Sequence, residues 1–583
     1  MSGYQPAVSV IPGRTVVPRG GATSTPVPHA DPRRSRVLAS LIAAGTSVGL
    51  VAVAAIELHG TRWSFNALYS DAGFRTEAAT RFADAPALAD YGYRGLPSYY
   101  PPALPWLQGR AADLVGQPAW AMMKPTMLVL AAAIPLLAYV LWRRVVPDLS
   151  AALIVLATTV TTLDLVKPDE WLVLALALPW WLELTRDIRA PERSRLQWWV
   201  HGLILGVLLL WHSYYFLPLA VATILGMAVD RLRRRRAPLS LGRAVGVALV
   251  GLVVAAPYWG PTAWLRLQGA PSDHLQMRWS RSGWEWPPWP VPVSLIGLVG
   301  LLGVGWILWR CRTDRLAESL GVGLVGVYGF YLGGQWLQRY GVAVLPEKSD
   351  DLISALLTIA GVLALREAAI RFHPRTRGRA LVAAAMAGML AVLGVVGLAG
   401  DTTFVGQRSA ALHTRYPDGS YPAGGPGDPD TYRHPWGVAP GDPSVAQVSR
   451  AWDRVAGRAL DGDTVLVTAR ADLLATSPVH PFIAWKSIYS HPAGRFAERL
   501  ALLRKLGRCA DSPCAANLLR NNDFDRVDGL VLNASPSGLE LPVAVDTFPN
   551  GWALRPVTFS RDLFRAPDFA VRRVGRVWVI VLR

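Results

Sequence analysis

Apolar runs of membrane-span length recur from Val37 to Leu398, and clusters of Arg and Lys punctuate them. The run from Val37 to about Leu58 and the run from about Met122 to Trp142 each supply the roughly 20 residues that cross a bilayer core. No water reaches that core, so every backbone N–H and C=O must be satisfied within the segment, which dictates helices. The composition agrees: 52% of the 583 residues are hydrophobic and only 17% are charged, too few charges for an ordinary soluble protein.

Cytoplasmic loops collect Lys and Arg, so the clusters set direction. Arg33, Arg34 and Arg36 end a Pro/Gly/Ser-rich tail (residues 1–36) and hold the N-terminus inside. A cleaved signal peptide competes for the first run, but the long leader and long apolar stretch favour an uncleaved anchor. Arg143–Arg144, the arginines at 186, 189, 193 and 195, Arg231–Arg236, Arg310–Arg312 and the arginines from 366 to 379 mark later inside ends. Counting this way gives about eleven spans over residues 37–400 and puts the C-terminus outside. The fifth and sixth divide near Trp211-His212-Ser213. The net charge of +18 raises nucleic-acid binding, but basic clusters beside spans are topogenic or face lipid, and no nucleic-acid partner is expected.

The composition changes after Asp401. A linker rich in Gly, Pro and Asp (residues 401–443) leads to residues 444–583. There, Asp463–Thr468, Val527–Leu532 and Val577–Leu582 read as short buried strands, and Phe496–Leu506 as an amphipathic helix. This describes an extracytoplasmic α/β domain of about 140 residues, enough for its own core. Cys509 and Cys514 lie close together in it, and an oxidising compartment favours a local disulfide. Cys311 is a lone apolar residue at a span end.

The sequence holds no Gly-rich nucleotide loop, nucleophile elbow or zinc signature. Chemistry therefore falls to acids and bases on the outer loops. The stretch Leu68–Arg81, in an outer loop spanning about 59–120, carries Asp71, Arg75 and Glu77. A short helix there, limited by Pro86, aligns Phe74, Ala78 and Phe82 on one face, which would lie on the bilayer with Asp71 and Arg75 paired above it. The bland alternative is a solvated i,i+4 ion pair. Lys124, Lys167 with Asp169 and Glu170, His212, and Arg339 with Glu347, Lys348, Asp350 and Asp351 project to the same side. Acids and cations on one face suit transfer from a phosphate-linked donor: a carboxylate takes the acceptor's proton and a cation stabilises the departing phosphate. Tyr99, Tyr100, Trp106, Trp284, Trp286 and Trp289 offer faces for sugars, or form the interfacial aromatic belt.

Ser70-Asp-Ala-Gly-Phe-Arg-Thr-Glu77, Tyr99-Tyr-Pro-Pro102, Pro118-Ala-Trp-Ala-Met-Met-Lys-Pro125, Pro346-Glu-Lys-Ser-Asp-Asp351 and Trp485–Arg499 resemble, in order, segments of the actinobacterial membrane arabinofuranosyltransferases that add the first arabinose to cell-wall galactan. The resemblance implies a GT-C fold and a polyprenyl-phosphate-arabinofuranose donor. It also implies inverting transfer to a galactofuranose hydroxyl outside the cell membrane. It puts the catalytic acid at Asp71. Arg75 is then its positioning partner and Glu77 the candidate second acid. Lys124 and Lys348, with Glu347, Asp350, Tyr99 and Tyr100, become candidate donor contacts. Many enzymes of this fold pair two acids in the first outer loop. Here Ala72 follows Asp71, which leaves the base assignment and a divalent cation open; no metal ligands are assigned. The rivals are the same fold using another polyprenyl-phosphate sugar such as mannose, a lipid-linked sugar flippase, and a non-catalytic glycan-binding scaffold. A flippase is expected to carry internal repeats and mid-membrane ionisable groups, and most charges here lie at span ends.

Overall fold

A computed structural model describes residues 32–189, 196–233, 240–278, 295–372, 401–426, 441–548 and 550–583, with scattered positions from 383 to 394. The tail before residue 32, Arg234–Arg236, the tryptophans at 284, 286 and 289, most of the last expected span and linker residues 427–440 lie outside these.

Twelve α-helices lie between residues 32 and 372 among the described residues: α1 (Pro32–Glu57), α2 (Asp71–Asp84), α3 (Ala103–Leu114), α4 (Ala119–Val145), α5 (Asp148–Thr162), α6 (Pro168–Arg189), α7 (Trp198–Trp211), α8 (Phe216–Leu232), α9 (Leu241–Leu267), α10 (Leu295–Arg310), α11 (Arg315–Gln338) and α12 (Asp350–Phe372). Among the described residues, five helices are long and apolar enough to cross a membrane: Arg33–Glu57, Ala119–Val145, Leu241–Leu267, Arg315–Gln338 and Pro346–Phe372. α5, α7 and most of α10 are shorter apolar helices. α1 starts five residues earlier than the expected start at Val37, because Pro is well tolerated in a first helical turn, and Arg36 reaches Asp148 at 3.3 Å. α7 and α8 do separate at residues 212–215.

Helix packing relies on small residues. A Cβ on Gly202 or Gly206 of α7 would lie 2.5 or 2.4 Å from Val250 or Val254 of α9. Such close backbone approach is how helices associate in lipid, where apolar burial gives no net drive.

The C-terminal part is built on a seven-stranded mixed sheet. Its strands are β1 (Val465–Thr468), β2 (His480–Pro481), β3 (Gly529–Ser535), β4 (Gly538–Leu541), β7 (Val557–Phe559), β8 (Phe569–Val574) and β9 (Val577–Leu582), while β5 (Ala544–Asp546) and β6 (Trp552–Leu554) form a separate ribbon. β1 runs parallel to β2 and β3, and β3 pairs antiparallel with β9 in the register Leu530–Ile580. β1 is buried on both faces, as its continuous apolar run requires. The helix Phe496–Leu506 buries Phe496, Leu500, Leu503 and Leu506. Cys509 and Cys514 form a disulfide.

The surroundings of α2 differ from expectation. Phe74, Ala78 and Phe82 do share a face, but they belong to the core of the C-terminal domain, with Tyr91, Phe482, Trp485 and Tyr489. The C-terminal domain offers a packed aromatic surface to that face and removes it almost wholly from solvent, which a bilayer surface would do only in part. The segment from Asp71 to Tyr100 is thus a structural part of the C-terminal domain.

Candidate active site

Three non-glycine residues just before α2 hold left-handed backbone: Asn66 (φ 68°), Ala67 (φ 45°) and Ser70 (φ 49°). Each such residue costs on the order of 1–3 kcal/mol and persists where the surroundings overrule local preference, a condition common at functional sites. The result is a helix whose first residue is Asp71.

The Asp71 side chain is 28% exposed and its Oδ2 accepts from Lys167 Nζ at 2.7 Å. Its Oδ1 accepts from the Tyr489 hydroxyl at 2.9 Å. Burial pushes this carboxyl upward, but Lys167, Arg75 and Lys348 outweigh it and hold the group below the usual aspartate value. Asp71 is therefore ionised at neutral pH, with lone pairs left for a further donor.

Behind it lies a buried charge network. Arg75, 3% exposed, donates to Asp169, to Glu170 at 2.9 Å and to the Tyr100 hydroxyl at 2.7 Å. Glu170 also accepts from Lys348. Asp169 and Glu170 open α6, Lys348 lies on the 3₁₀ turn Pro346–Ser349 ahead of α12, and Glu347 and Asp350 flank it. His212, buried at the α7–α8 break, has both ring nitrogens without a hydrogen-bond partner among the described residues, and its ring centroid lies 5.1 Å from that of Tyr215. Tyr215 in turn donates to Asp351 at 3.0 Å. Asp71, Asp169 and Glu170 face Arg75, Lys167 and Lys348 in one cluster, so an incoming anion must compete with these carboxylates for their cations. The C-terminal domain adds Lys486, whose Nζ lies 4.9 Å from the Trp552 ring and 5.6 Å from the Tyr489 ring. Burial lowers its pKa to about 8 against the pull of Asp71.

The geometry gives several of these residues partners other than the expected ones. Arg75 is not the hydrogen-bonded partner of Asp71; its guanidinium turns inward to Asp169, Glu170 and Tyr100. A planar fork of donors is better matched by two buried carboxylates than by one half-exposed one. Glu77 does not stand beside Asp71. It is 3% exposed, and burial, the largest cause, together with Asp90 raises its pKa to about 8 against the pull of Arg81. Lys124 is spent on the Leu58 and Thr61 carbonyls, both at 2.8 Å, and so ties α4 to the end of α1. Tyr100 is in the network through Arg75, whereas Tyr99 meets the His491 ring edge-on at 5.6 Å. Among the described residues, no three His, Cys, Asp or Glu side chains converge as metal ligands; Asp169 and Glu170 face Arg75 and Lys348 instead.

Residues 22–401 match the family model described as arabinofuranosyltransferase N terminal, and residues 439–583 match the one described as arabinofuranosyltransferase A C terminal. The chain is 28% identical over 562 residues to the galactan 5-O-arabinofuranosyltransferase of Mycolicibacterium smegmatis, covering 93% of this chain and 87% of that protein. It is 28% identical over 532 residues to the protein of that name from Mycobacterium tuberculosis (87% and 78% covered). The Corynebacterium glutamicum protein of the same name is 24% identical over 543 residues (88% and 79%).

Proposed function

The chain belongs to the arabinofuranosyltransferase family and is a membrane glycosyltransferase, and we propose that it transfers an arabinofuranosyl residue from a polyprenyl-phosphate donor to a hydroxyl of galactan, with inversion, at the outer face of the membrane. The observation that carries this reading is the half-open Asp71 carboxylate, kept ionised by Lys167 at the mouth of a charge cluster between the helical part and the C-terminal domain.

The reaction is a single displacement. The acceptor hydroxyl oxygen attacks the anomeric carbon as the bond from that carbon to the phosphate oxygen breaks. Asp71 takes the hydroxyl proton as the new bond forms. The departing polyprenyl phosphate gains negative charge, which Lys348 and Lys167 meet by shifting from Glu170 and Asp71. His212, whose ring nitrogens have no hydrogen-bond partner among the described residues, carries one N–H as a neutral ring and is a further donor for the phosphate. Arg75 holds Asp169 and Glu170 in place and orients the floor of the site. The galactan acceptor follows the names of the relatives; the cations of the cluster suit a phosphate-linked donor, and its polyprenyl-arabinofuranose identity is what the family resemblance implies.

The test is transfer by the purified protein from a labelled polyprenyl-phosphate pentose to a galactofuranose oligomer. One new pentosyl linkage of inverted anomeric configuration is expected. Product only with a polyprenyl-phosphate mannose, or movement of labelled lipid across vesicles without product, would overturn the reading.

A further inference from the structure

Among the described residues Asp71 has two hydrogen-bonded partners, and one of them comes from the other end of the chain. The Tyr489 hydroxyl donates to Asp71 Oδ1 at 2.9 Å across 418 positions of sequence. Tyr489 is 6% exposed and closes the 3₁₀ turn Ser487–Tyr489, with its own N–H bonded to the Lys486 carbonyl at 2.9 Å. Its ring lies against Phe74 of α2 at 4.8 Å and Trp485 at 4.9 Å between centroids. Its carbonyl accepts from the Tyr91 hydroxyl at 2.8 Å, which ties the turn back to the first outer loop. Ser70 Oγ stands 3.5 Å from the phenol oxygen, so the hydroxyl is fixed between the strained residue before α2 and the carboxylate.

We propose that Tyr489 is a positioning residue for Asp71, so that the catalytic centre is completed only when the C-terminal domain is docked on α2. This rests on the reading of Asp71 as the base. Lys167 and Tyr489 take one carboxylate oxygen each, and together they fix the plane of the group. The remaining lone pairs then face the exposed side, where an acceptor hydroxyl arrives. Held by Lys167 alone, the carboxylate would be free to rotate about its last bond. Near-attack geometry is sensitive to such rotation, and its loss is felt mainly in turnover. A donor to the charged form also favours ionisation, so loss of the phenol hydroxyl raises the pKa of Asp71. The other charges facing Asp71 are Lys167 from the turn before α6, Arg75 of α2, Lys348 from the turn before α12, and Lys486 of the same C-terminal turn. None of these changes in Tyr489→Phe.

The experiment compares wild type, Tyr489→Phe and Asp71→Asn in the purified donor-lipid assay, with full pH profiles. Phe keeps the ring contacts with Phe74 and Trp485. The expected result is a kcat lowered about 10-fold, in line with the loss of a hydrogen bond to a charged group, with KM for donor and acceptor nearly unchanged. The acid limb of kcat/KM moves up by about one pH unit. 3-Fluorotyrosine at position 489 packs like tyrosine and donates more strongly, and it moves the limb the other way. A Tyr489→Phe enzyme with wild-type kcat and an unmoved acid limb, beside an inactive Asp71→Asn, overturns the positioning role and leaves the base assignment standing. The same holds if only thermal stability changes. An active Asp71→Asn overturns both.

Discussion

Replacing Glu77 with Gln separates the acid at the site from the acid beneath it. Glu77 lies in the interface of α2 with the C-terminal domain, its Oε1 makes no hydrogen bond among the described residues, and its pKa stands at about 8. A folded-state pKa raised above the unfolded value of 4.5 means that this group's contribution is fully present below pH 4.5. It is then lost as pH rises toward 8, where the unfolded chain has ionised and the folded one has not. Between pH 4.5 and 7, at about 1.4 kcal/mol per unit, the penalty is on the order of 3 kcal/mol. Gln cannot ionise and escapes this penalty, although burying its amide gives back about 1 kcal/mol. Glu77→Gln is therefore expected to be more stable than wild type at pH 7 by on the order of 2 kcal/mol, or about 4–8 °C in Tm for a domain of this size. The advantage shrinks as pH falls to 4.5. Turnover is expected to stay within about twofold of wild type, since the group touches no reacting atom. The assay is thermal unfolding in detergent from pH 4.5 to 8.5, with transfer activity measured alongside. A variant less stable than wild type at pH 7 to 8 would show that Glu77 is ionised and paired with Arg81, and the reasoning would fail.

Three further outcomes follow from the same structure. Arg75→Gln strands Asp169 in the interior, leaves Glu170 to Lys348 alone and is expected to cost about 3–5 kcal/mol, read as a large drop in Tm with loss of transfer; unchanged Tm would contradict the buried network. Lys124→Met releases the Leu58 and Thr61 carbonyls, so Tm should fall while KM for the donor lipid stays put. A raised donor KM at unchanged Tm would return Lys124 to the phosphate site. A reporter that works only outside the membrane should be active when fused after Arg583 and silent after Arg236; the reverse pattern would reject the proposed orientation.

How much of this was readable beforehand differs by element. The helix Phe496–Leu506 and the strands near 465, 530 and 580 follow local periodicity and turn residues, and they formed where that pattern placed them. The shared face of Phe74, Ala78 and Phe82 was equally legible, but what covers it was not. Spacing reports that a face is apolar and is silent on whether lipid or protein meets it, and the partners Phe482, Trp485 and Tyr489 lie some 400 positions away. The pairing of Arg75 failed for a related reason. An i,i+4 carboxylate is the local candidate, while Asp169 and Glu170, 94 and 95 positions on, are delivered by the packing of α6. Lys167, Asp169, Glu170 and Lys348 could be named as charges on one face, since each sits where an apolar run begins. Tyr489 carried no such sign beyond its place in the Trp485–Arg499 segment. Of the spans, the long helices were clear, whereas α5, α7 and most of α10 fall short of ordinary crossing length and make a count from hydropathy imprecise.

The most direct measurement is turnover of Asp71→Asn in the purified donor-lipid and galactan assay, with insertion and Tm checked against wild type. Asn keeps the size and one oxygen for Tyr489 or Lys167 but cannot take up the acceptor's proton. The expected result is a folded, inserted protein with kcat lowered by about 10²–10⁴. An Asp71→Asn enzyme that turns over within a few-fold of wild type would contradict Asp71 as the base and send the search to Asp169, Glu170 and Asp351.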